Sequence, residues 1–188
     1  NCLPHSYQVP VVGGSAMANV HFESYSINDE EGNNNGVLEY GETIKLNVSL
    51  KNSGNAIANN VNATITSDNE YINILQNSAN FGNINPNATL HLPNAFKFAI
   101  SENIPDNHEI VLKVASQQPS QWESEIKLNA HSYALAINGG ELSNGNIVIN
   151  AHDQVNINFH IENNGSSSSP ALIAEIACSS EFVTIPNK

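Results

Sequence analysis

The chain has 188 residues, of which 40% are hydrophobic and 13% are charged, and its formal net charge is −12 with six Lys and Arg residues. So acidic a surface is unsuited to electrostatic binding of nucleic acid or of an anionic membrane, and cations suit it better as small partners. No run of about 18 apolar residues occurs, so no transmembrane helix is predicted. The length is enough for one large or two small domains, each with its own core.

The first 17 residues carry no predicted strand. Their sequence, "NCLPHSYQVPVVGGSAM", has neither the basic segment nor the long apolar segment of a signal peptide. We expect residues 1–17 to be a linker or the tail of a preceding domain in a mature or excised piece. The two cysteines, Cys2 and Cys178, are too few for a disulfide scaffold, and the sequence leaves open whether they pair.

Residues 18–131 contain seven segments in which apolar and polar residues alternate with period two, the pattern of half-buried β-strands. They lie at Ala18 to Ile27, Ile44 to Leu50, Val61 to Ile65, Tyr71 to Leu75, Phe96 to Ile100, Ile110 to Val114 and Trp122 to Leu128. Turn signals such as "NSGN" and "IPDNH" separate them. Seven short alternating strands in about 110 residues predict an antiparallel, immunoglobulin-like β-sandwich.

An internal repeat extends this prediction to the rest of the chain. The segment from Gly41 to Ile74 aligns with the segment from His152 to Ile185 without a gap, at an offset of 152 − 41 = 111 residues. The paired apolar positions include Leu46 with Ile157, Val48 with Phe159, Leu50 with Ile161, Val61 with Leu172 and Ile65 with Ile176. Because a slip of one residue would turn every side chain to the other face of a strand, the shared pattern predicts two copies of one sandwich.

The second copy, residues 132–188, is predicted to be incomplete. Counterparts of the later strands of the first copy, residues 95–130, would lie beyond Lys188. A sandwich without them exposes an apolar face and open strand edges. We expect the natural chain to continue; the alternatives are that a neighbouring molecule or the segment "SYQVPVV" near the N-terminus fills the gap. The predicted fold class is therefore all-β, with tandem immunoglobulin-like antiparallel sandwiches of which the second is incomplete.

The stretch "EGNNNGVLEYGE" fits the spacing of a 12-residue calcium loop, which places oxygen ligands at positions 1, 3, 5, 7, 9 and 12 and glycine at position 6. Counted from position 1, the candidate ligands are Glu31, Asn33, Asn35, the carbonyl of Val37, Glu39 and Glu42, with Gly36 at position 6. Glu at position 1 and Asn at positions 3 and 5 predict weak binding, with Kd of about 10⁻⁴ to 10⁻³ M. The alternative is a plain Asn/Gly turn. It is favoured by the second copy, where Leu142 aligns with Glu31 and Ile147 with Gly36.

Both copies carry Asn, any residue, Gly and then a strand rich in small apolar residues, as in "LKNSGNAIANNVNATI". This pattern resembles the cell-adhesion-related immunoglobulin-like modules of bacterial surface proteins. The longer "GVLEYGETIKLNVSLKNSGNAIANNVNATITSDNEYINI" is similar to the module that follows the catalytic domain in gingipain-like cysteine peptidases and other secreted proteins of the Bacteroidetes. The resemblance implies a secreted or surface-exposed bacterial protein whose partner is a preceding catalytic domain in the parent chain.

No residue set matches the catalytic Cys or His motifs of those peptidases, so we predict that this chain is not itself an enzyme. Trp122 is in phase with Ile126 and Leu128 and is expected to pack in the core or at a strand edge. The segment "GSSSSP" is interpreted as a flexible loop. The functional hypothesis is a pair of non-catalytic spacer and stabilising modules, accessory to a gingipain-like cysteine endopeptidase. The alternative is a calcium-assisted adhesin or carbohydrate-binding module that contacts a cell-surface or host protein or glycan through Tyr25 and Tyr40.

Overall fold

The computed structural model describes residues 15–117, 121–143, 145 and 148–186, and within these ranges the chain forms ten β-strands and no helix. The strands are β1 Val20–Asn28, β2 Thr43–Asn52, β3 Ala58–Thr66, β4 Ile72–Gln76, β5 Ser78–Ile84, β6 Thr89–Ile100, β7 His108–Ser116, β8 Trp122–Ala130, β9 Leu135–Leu142 and β10 Ile157–Asn163. The prediction of an all-β chain is confirmed. None of the described segments is a helix that could cross a membrane.

Eight strands build a sandwich of two four-stranded sheets. One sheet has the order β1-β2-β6-β4 and the other has the order β5-β3-β7-β8, and every pairing between strands is antiparallel. The first order is that of the ABED sheet of immunoglobulin domains, and β3, β7 and β8 take the places of strands C, F and G. The predicted immunoglobulin-like sandwich is therefore confirmed.

The core follows from the alternation seen in the sequence. The four apolar residues of β2 predicted to face inward are all fully buried: Ile44, Leu46, Val48 and Leu50. Beside them β6 buries Phe96 and Phe98, and the opposite sheet contributes Ile65, Ile110 and Leu112. Trp122 packs against this core from β8, as its phase predicted. Burying such side chains stabilises the fold by about 1.5–3 kcal/mol each before the entropy cost of ordering them.

The first sandwich contains one strand, β5, that the sequence did not predict. β5 pairs with β3, but the pairing shifts near Gly82, whose φ is +69°. Its two buried apolar residues, Phe81 and Ile84, are therefore three positions apart instead of two. A β-bulge of this kind erases the period-two pattern by which strands are recognised in a sequence.

The third sheet contains only β9 and β10 and reproduces the pairing of β1 with β2. Ile161 lies opposite Ile137 as Leu50 lies opposite Phe22, and a shift of register follows in both pairs. Ile157 lies opposite Leu142 as Leu46 lies opposite Ile27. The offset is thus 161 − 50 = 111 residues for β10 and 142 − 27 = 115 residues for β9. The connection between the two strands is four residues shorter in the second copy.

This difference corrects one part of the sequence alignment. A constant offset of 111 matched Leu142 with Glu31, whereas the strand pairing makes Leu142 the counterpart of Ile27. The loss of an acid at position 142 therefore says nothing about the calcium hypothesis, because the second loop has a different length. Ile147, which aligned with Gly36, lies outside the described residues.

Residues 169–177, which align with β3, form no strand. Their apolar side chains Leu172 and Ile176 are 48% and 38% exposed. In the first copy β3 is held between β5 and β7. No strand in the described part of the second copy corresponds to either neighbour, and an extended segment without a hydrogen-bonding partner gains nothing from strand geometry.

Candidate functional site

The loop from Asp29 to Glu42 connects β1 to β2 and is organised by two buried carboxylates. Glu42 is 9% exposed. Its Oε1 accepts a hydrogen bond from the backbone N–H of Asn33 at 3.1 Å, and its Oε2 accepts one from the N–H of Glu39 at 3.0 Å. Because a charge-assisted bond to a backbone N–H is stronger than a neutral one, Glu42 fixes both halves of the loop to the start of β2.

Asp29 anchors the middle of the loop in the same way. It is 4% exposed, and its Oδ2 accepts a hydrogen bond from the N–H of Gly36 at 2.9 Å. Gly36 has φ of +79°, a conformation that favours glycine. Asp29 lies two residues before the first candidate ligand, and the structure shows that it is part of the framework of the loop.

Asn33, Asn35 and Glu39 form a polar network on the outer side of the loop. The Oδ1 atoms of Asn33 and Asn35 accept hydrogen bonds from the N–H two residues further on, at 3.1 and 2.7 Å, which makes two consecutive Asx turns. Both side-chain amides donate to Oε2 of Glu39. The pKa of Glu39 is lowered, first by the hydroxyl of Ser167 and then by these amides.

Glu31 belongs to a different group of side chains. Its carboxylate pairs with Lys45 at 2.9 Å and with Lys97 at 2.7 Å, and Lys45 also pairs with Glu30 at 2.6 Å. Lys97 and then Lys45 hold the pKa of Glu31 below its ordinary value. Exposed pairs of this kind contribute little to stability, but both lysines would have to release Glu31 before it could bind a cation.

Four of the six candidate ligands, Asn33, Asn35, Glu39 and Glu42, therefore share one hydrogen-bonded loop, whereas Glu31 is held by lysines. The remaining candidate, Val37 at position 7, donates its N–H to the Oδ1 of Asn35. Within the described ranges no group of three or more His, Cys, Asp or Glu side chains is arranged to hold a metal ion. A calcium ion here would have the carboxylates of Glu39 and Glu42 beside Asn and backbone oxygens, and calcium binding stays a prediction.

The second copy preserves one element of this loop. Asp153, which aligns with Glu42, accepts a hydrogen bond through Oδ2 from the N–H of Asn150 at 2.8 Å. Asn150 aligns with Glu39. In both copies, therefore, the backbone N–H at this position donates to the carboxylate of the acidic residue three positions later. Capping the loop is therefore the function that Glu42 and Asp153 have in common.

The other side of the loop carries the start of the second copy. Leu38 accepts a hydrogen bond from the N–H of His131 at 2.8 Å, and Tyr40 donates its N–H to the carbonyl of His131 at 3.0 Å. These bonds make a parallel bridge between Glu39 and His131. We call the contacts of residues 38–40 and Asp106 with residues 131–133 and 166–168 the joint.

Side chains reinforce the joint at two points. The rings of Tyr40 and Tyr133 meet edge to face with centroids 4.9 Å apart, and the hydroxyl of Tyr40 donates to the carbonyl of Ser168 at 2.9 Å. The hydroxyl of Ser167, which is 5% exposed, donates to Oε1 of Glu39. Aromatic pairs of this geometry contribute about 0.5–1.5 kcal/mol beyond the area they bury.

Asp106, in the turn before β7, supplies the third point. Its Oδ1 accepts hydrogen bonds from the N–H of Ser132 at 2.9 Å and from the hydroxyl of Ser166. The Ser166 bond, followed by the Ser132 bond, lowers the pKa of Asp106.

The interpretation of "GSSSSP" as a flexible loop is wrong for Ser166 to Ser168, since all three residues are bonded to the first sandwich. Sequence reasoning missed the joint because its contacts join residues 26 to 128 positions apart.

A shallow groove of about 280 Å³ runs beside the loop. Its lining includes Tyr25, which is 39% exposed, and Val37, which is 37% exposed, together with Lys127 and His131. Tyr40, the other aromatic residue proposed as a ligand contact, is engaged by Tyr133. The groove therefore presents one exposed aromatic ring, Tyr25, beside the polar side chains of Lys127, Asn129 and His131. Cys178 is exposed and has no disulfide partner among the described residues, and Cys2 lies outside them.

Comparisons with known proteins add no assignment. No protein-family model matches the chain, and no curated protein matches it significantly. Among solved structures the chain is similar to native alpha-2-macroglobulin from Escherichia coli, spanning the residues from domain MG7 to the C-terminus, with 14% sequence identity and a TM-score of 0.43. The match covers 69% of this chain and 19% of that chain, so the chain spans about a fifth of its length.

Proposed function

We propose that this chain is a non-catalytic spacer of a secreted or surface-exposed bacterial protein and that its role is to hold neighbouring domains at a fixed distance and angle. The observation that carries the proposal is the joint. Three separate contacts, at Glu39, Tyr40 and Asp106, tie the second copy to one end of the first sandwich. A spacer needs rigid domains and a rigid connection between them. Domains that share few contacts usually move relative to each other, so the three contacts of the joint favour a rigid connection.

The stiffness of the joint can be measured by the distance between two spin labels. Labels are attached at Asn59→Cys in β3 and Asn158→Cys in β10, in a chain carrying Cys2→Ser and Cys178→Ser, and the distance distribution is recorded by double electron–electron resonance. We expect one narrow distribution. Tyr133→Ala, which removes the aromatic contact, should broaden it.

The matched control is Tyr25→Ala, which removes an exposed tyrosine that contacts Phe22 and Lys127 instead of the residues of the joint, and it should leave the distribution unchanged. A broad distribution in the labelled chain with no further change would contradict a spacer role. Broadening by both tyrosine variants would show that the effect does not arise at the joint.

The finer part of the proposal is that the spacer follows a gingipain-like cysteine endopeptidase. It is supported by the sequence resemblance of residues 29–130 to the module in that position. The test is the half-life of such a peptidase at 37 °C with and without this chain fused to its C-terminus. A longer half-life of the fusion is expected, and equal half-lives would count against an accessory role.

The groove favours one alternative, an adhesin or carbohydrate-binding module. Tyr25 offers an exposed ring beside polar side chains, the composition expected of a small ligand site. Binding to a glycan array that is lost in Tyr25→Ala and kept in Tyr40→Phe would support this alternative over a purely mechanical role.

A further inference from the structure

Three Asn-Gly pairs lie within the described residues: Asn35-Gly36 in the loop before β2, Asn138-Gly139 in β9 and Asn164-Gly165 after β10. In such a pair the backbone nitrogen of glycine can attack the side-chain Cγ of asparagine, because glycine has no Cβ to hinder the approach. Ammonia leaves, and water opens the cyclic imide to aspartate or isoaspartate. Each pair is therefore a candidate for a covalent modification that turns a neutral amide into a carboxylate.

The Asn35-Gly36 pair is held in a conformation that opposes this reaction. The N–H of Gly36 donates to the buried carboxylate of Asp29 at 2.9 Å, so the attacking nitrogen is engaged. The side chain of Asn35 is held at both ends, since Oδ1 accepts from the N–H of Val37 at 2.7 Å and Nδ2 donates to Glu39 at 2.8 Å. Cyclisation has to break these bonds first.

The backbone of the Asn164-Gly165 pair is also fixed. The N–H of Gly165 donates to Oδ1 of Asn163 at 3.0 Å, and the N–H of Asn164 donates to the carbonyl of Ala134 at 2.7 Å. Gly165 lies so close to Ser132 that a Cβ atom would come within 2.3 Å of the Ser132 carbonyl oxygen. The nitrogen of Gly165 therefore has little room to turn toward the side chain of Asn164.

The Asn138-Gly139 pair lies in a β-bulge. The register shifts between Phe159 and Ile161, so that Asn138 and Gly139 together lie opposite His160. A bulge disrupts the hydrogen-bonded ladder locally, and its backbone is less constrained than that of a regular strand. Both residues of the pair are exposed, φ of Gly139 is +89°, and no atom lies within 4 Å of the position of an added Cβ. The reacting atoms therefore have room to meet.

The side chain of Asn138 faces an acid. Its amide donates to Oε2 of Glu162 at 2.6 Å. Because residues alternate along a strand, Glu162 lies on the face of β10 opposite to Phe159, and Asn138 stays on this polar face whatever packs on the apolar one. In the first copy the corresponding residues are Glu23 and Lys51, whose charged groups lie 3.7 Å apart. The second copy has an amide and an acid at these positions, so a negative charge at position 138 would meet no lysine.

We propose that Asn138 is a deamidation site of this chain and that the fold directs the reaction to it. The backbone nitrogen of Gly139 loses its proton and attacks Cγ of Asn138, the side-chain nitrogen leaves as ammonia, and water opens the ring at one of its carbonyls. The product, aspartate or isoaspartate at position 138, puts a carboxylate beside that of Glu162. Like charges opposite each other repel, so the pairing of β9 with β10 weakens. This inference does not depend on the proposed spacer role.

The test is incubation of the full chain of 188 residues at mildly alkaline pH, where the backbone nitrogen loses its proton more readily. A protease that cleaves after glutamate yields fragments 32–39, 126–141 and 163–175, each with one of the three pairs. Tandem mass spectrometry assigns the modified residue in each fragment. We expect Asn138 to react at least about ten-fold faster than Asn35 or Asn164, because the bonds that hold those two pairs must break first.

An unfolded control separates the effect of the fold from that of the sequence. In urea all three pairs should react at similar rates, because each dipeptide is then free of its folded contacts. Hydrogen exchange measures the consequence for the strands. The amides of β9 and β10 should exchange faster in the incubated chain and in Asn138→Asp than in the fresh chain. Asn138→Gln keeps an amide with a longer side chain, and incubation should leave its exchange unchanged.

Reaction of Asn35 or Asn164 as fast as Asn138 in the folded chain would overturn the proposal. An unchanged Asn138 after all three pairs of the unfolded chain have reacted would overturn it as well. Equal hydrogen exchange in the fresh chain and in Asn138→Asp would disprove the effect on the pairing of β9 with β10.

Discussion

Asn52 and Asn163 show how one side chain can fix the entry of a strand into a sandwich. The Oδ1 of Asn52 accepts hydrogen bonds from the N–H groups of Gly54 and Asn19, each at 3.0 Å, and its amide donates to the carbonyl of Ala56 at 2.8 Å. Asn163 makes the corresponding bonds with Gly165, Ala134 and Ser167 at the same distances. The Asn-x-Gly pattern seen in the sequence is therefore a hydrogen-bonding motif. In each copy it connects the residue just before the first strand to the end of the second strand.

The motif requires glycine because no room exists for a side chain at this position. A Cβ atom at Gly54 would lie 2.2 Å from the carbonyl oxygen of Met17, and one at Gly165 would lie 2.3 Å from that of Ser132. Both obstacles are backbone atoms, which cannot move aside as a flexible side chain can. Glycine is thus used for close approach of two chain segments, and the two copies use it identically.

Asn52→Ala should be among the most destabilising single changes in the first sandwich. Asn52 is 0% exposed, and its amide also donates to the carbonyl of Ile84 at 3.0 Å, so removing it leaves several buried backbone groups without partners. We expect the free energy of unfolding to fall by about 2–4 kcal/mol. Urea denaturation followed by the fluorescence of Trp122 measures it.

The control is Asn62→Ala, which removes an exposed amide bonded only to the carbonyl of Asn60 two residues away. It should change the free energy of unfolding by less than about 0.5 kcal/mol. If the two variants lost equal stability, the buried hydrogen bonds of Asn52 would not be the cause.

Glu42 allows the calcium prediction to be tested separately from its structural role. Isothermal titration of the chain with calcium should give a Kd in the range of about 10⁻⁴ to 10⁻³ M if the loop binds the ion. Glu42→Gln keeps an oxygen that can accept a backbone hydrogen bond but removes the charge, and it should abolish the heat signal. Glu123→Gln on β8 is the control. Equal signals from the unmodified chain and Glu42→Gln would exclude binding at this loop.

Among the elements, strand prediction succeeded for strands with one apolar and one polar face, such as β2, and failed for β5, where a bulge breaks the alternation. β2 keeps Ile44, Leu46, Val48 and Leu50 in phase and was predicted with its buried face correct. β5 was missed because the shift at Gly82 separates Phe81 from Ile84 by three residues. The joint could not be predicted at all, since no periodicity encodes which turn of one copy meets which loop of the other.

Equivalent residues of the repeat should differ in energetic importance because their strands have different neighbours. Leu46→Ala in β2 removes a fully buried side chain and should cost about 2–5 kcal/mol of unfolding free energy. Ile157→Ala in β10 removes its counterpart, which is 43% exposed, and should cost less than about 0.5 kcal/mol. Urea denaturation of both variants makes the comparison, and a loss above about 2 kcal/mol in Ile157→Ala would show that β10 is already covered.

The whole molecule combines a complete sandwich, a bonded joint and an open half-sheet. The order of stability that follows places the first sandwich above the joint and the joint above β9 and β10, because the burial of their residues decreases in that order. A chain built this way transmits its orientation through the joint.

The joint should loosen in acid, because two carboxylates accept its hydrogen bonds. The pKa of Glu39 is lowered chiefly by the hydroxyl of Ser167, and that of Asp106 chiefly by the hydroxyl of Ser166. A carboxyl whose pKa is lower in the folded state stabilises the structure above its unfolded pKa, about 4 for these groups, and loses that effect as the pH falls through the folded pKa. The spin-label distance distribution should therefore be equally narrow at pH 7 and pH 5.5 and should broaden below about pH 4. Asp106→Asn, which cannot change its charge, should reduce the pH dependence, and a distribution that stayed narrow down to pH 2.5 while the sandwich remained folded would show that neither carboxylate controls the joint.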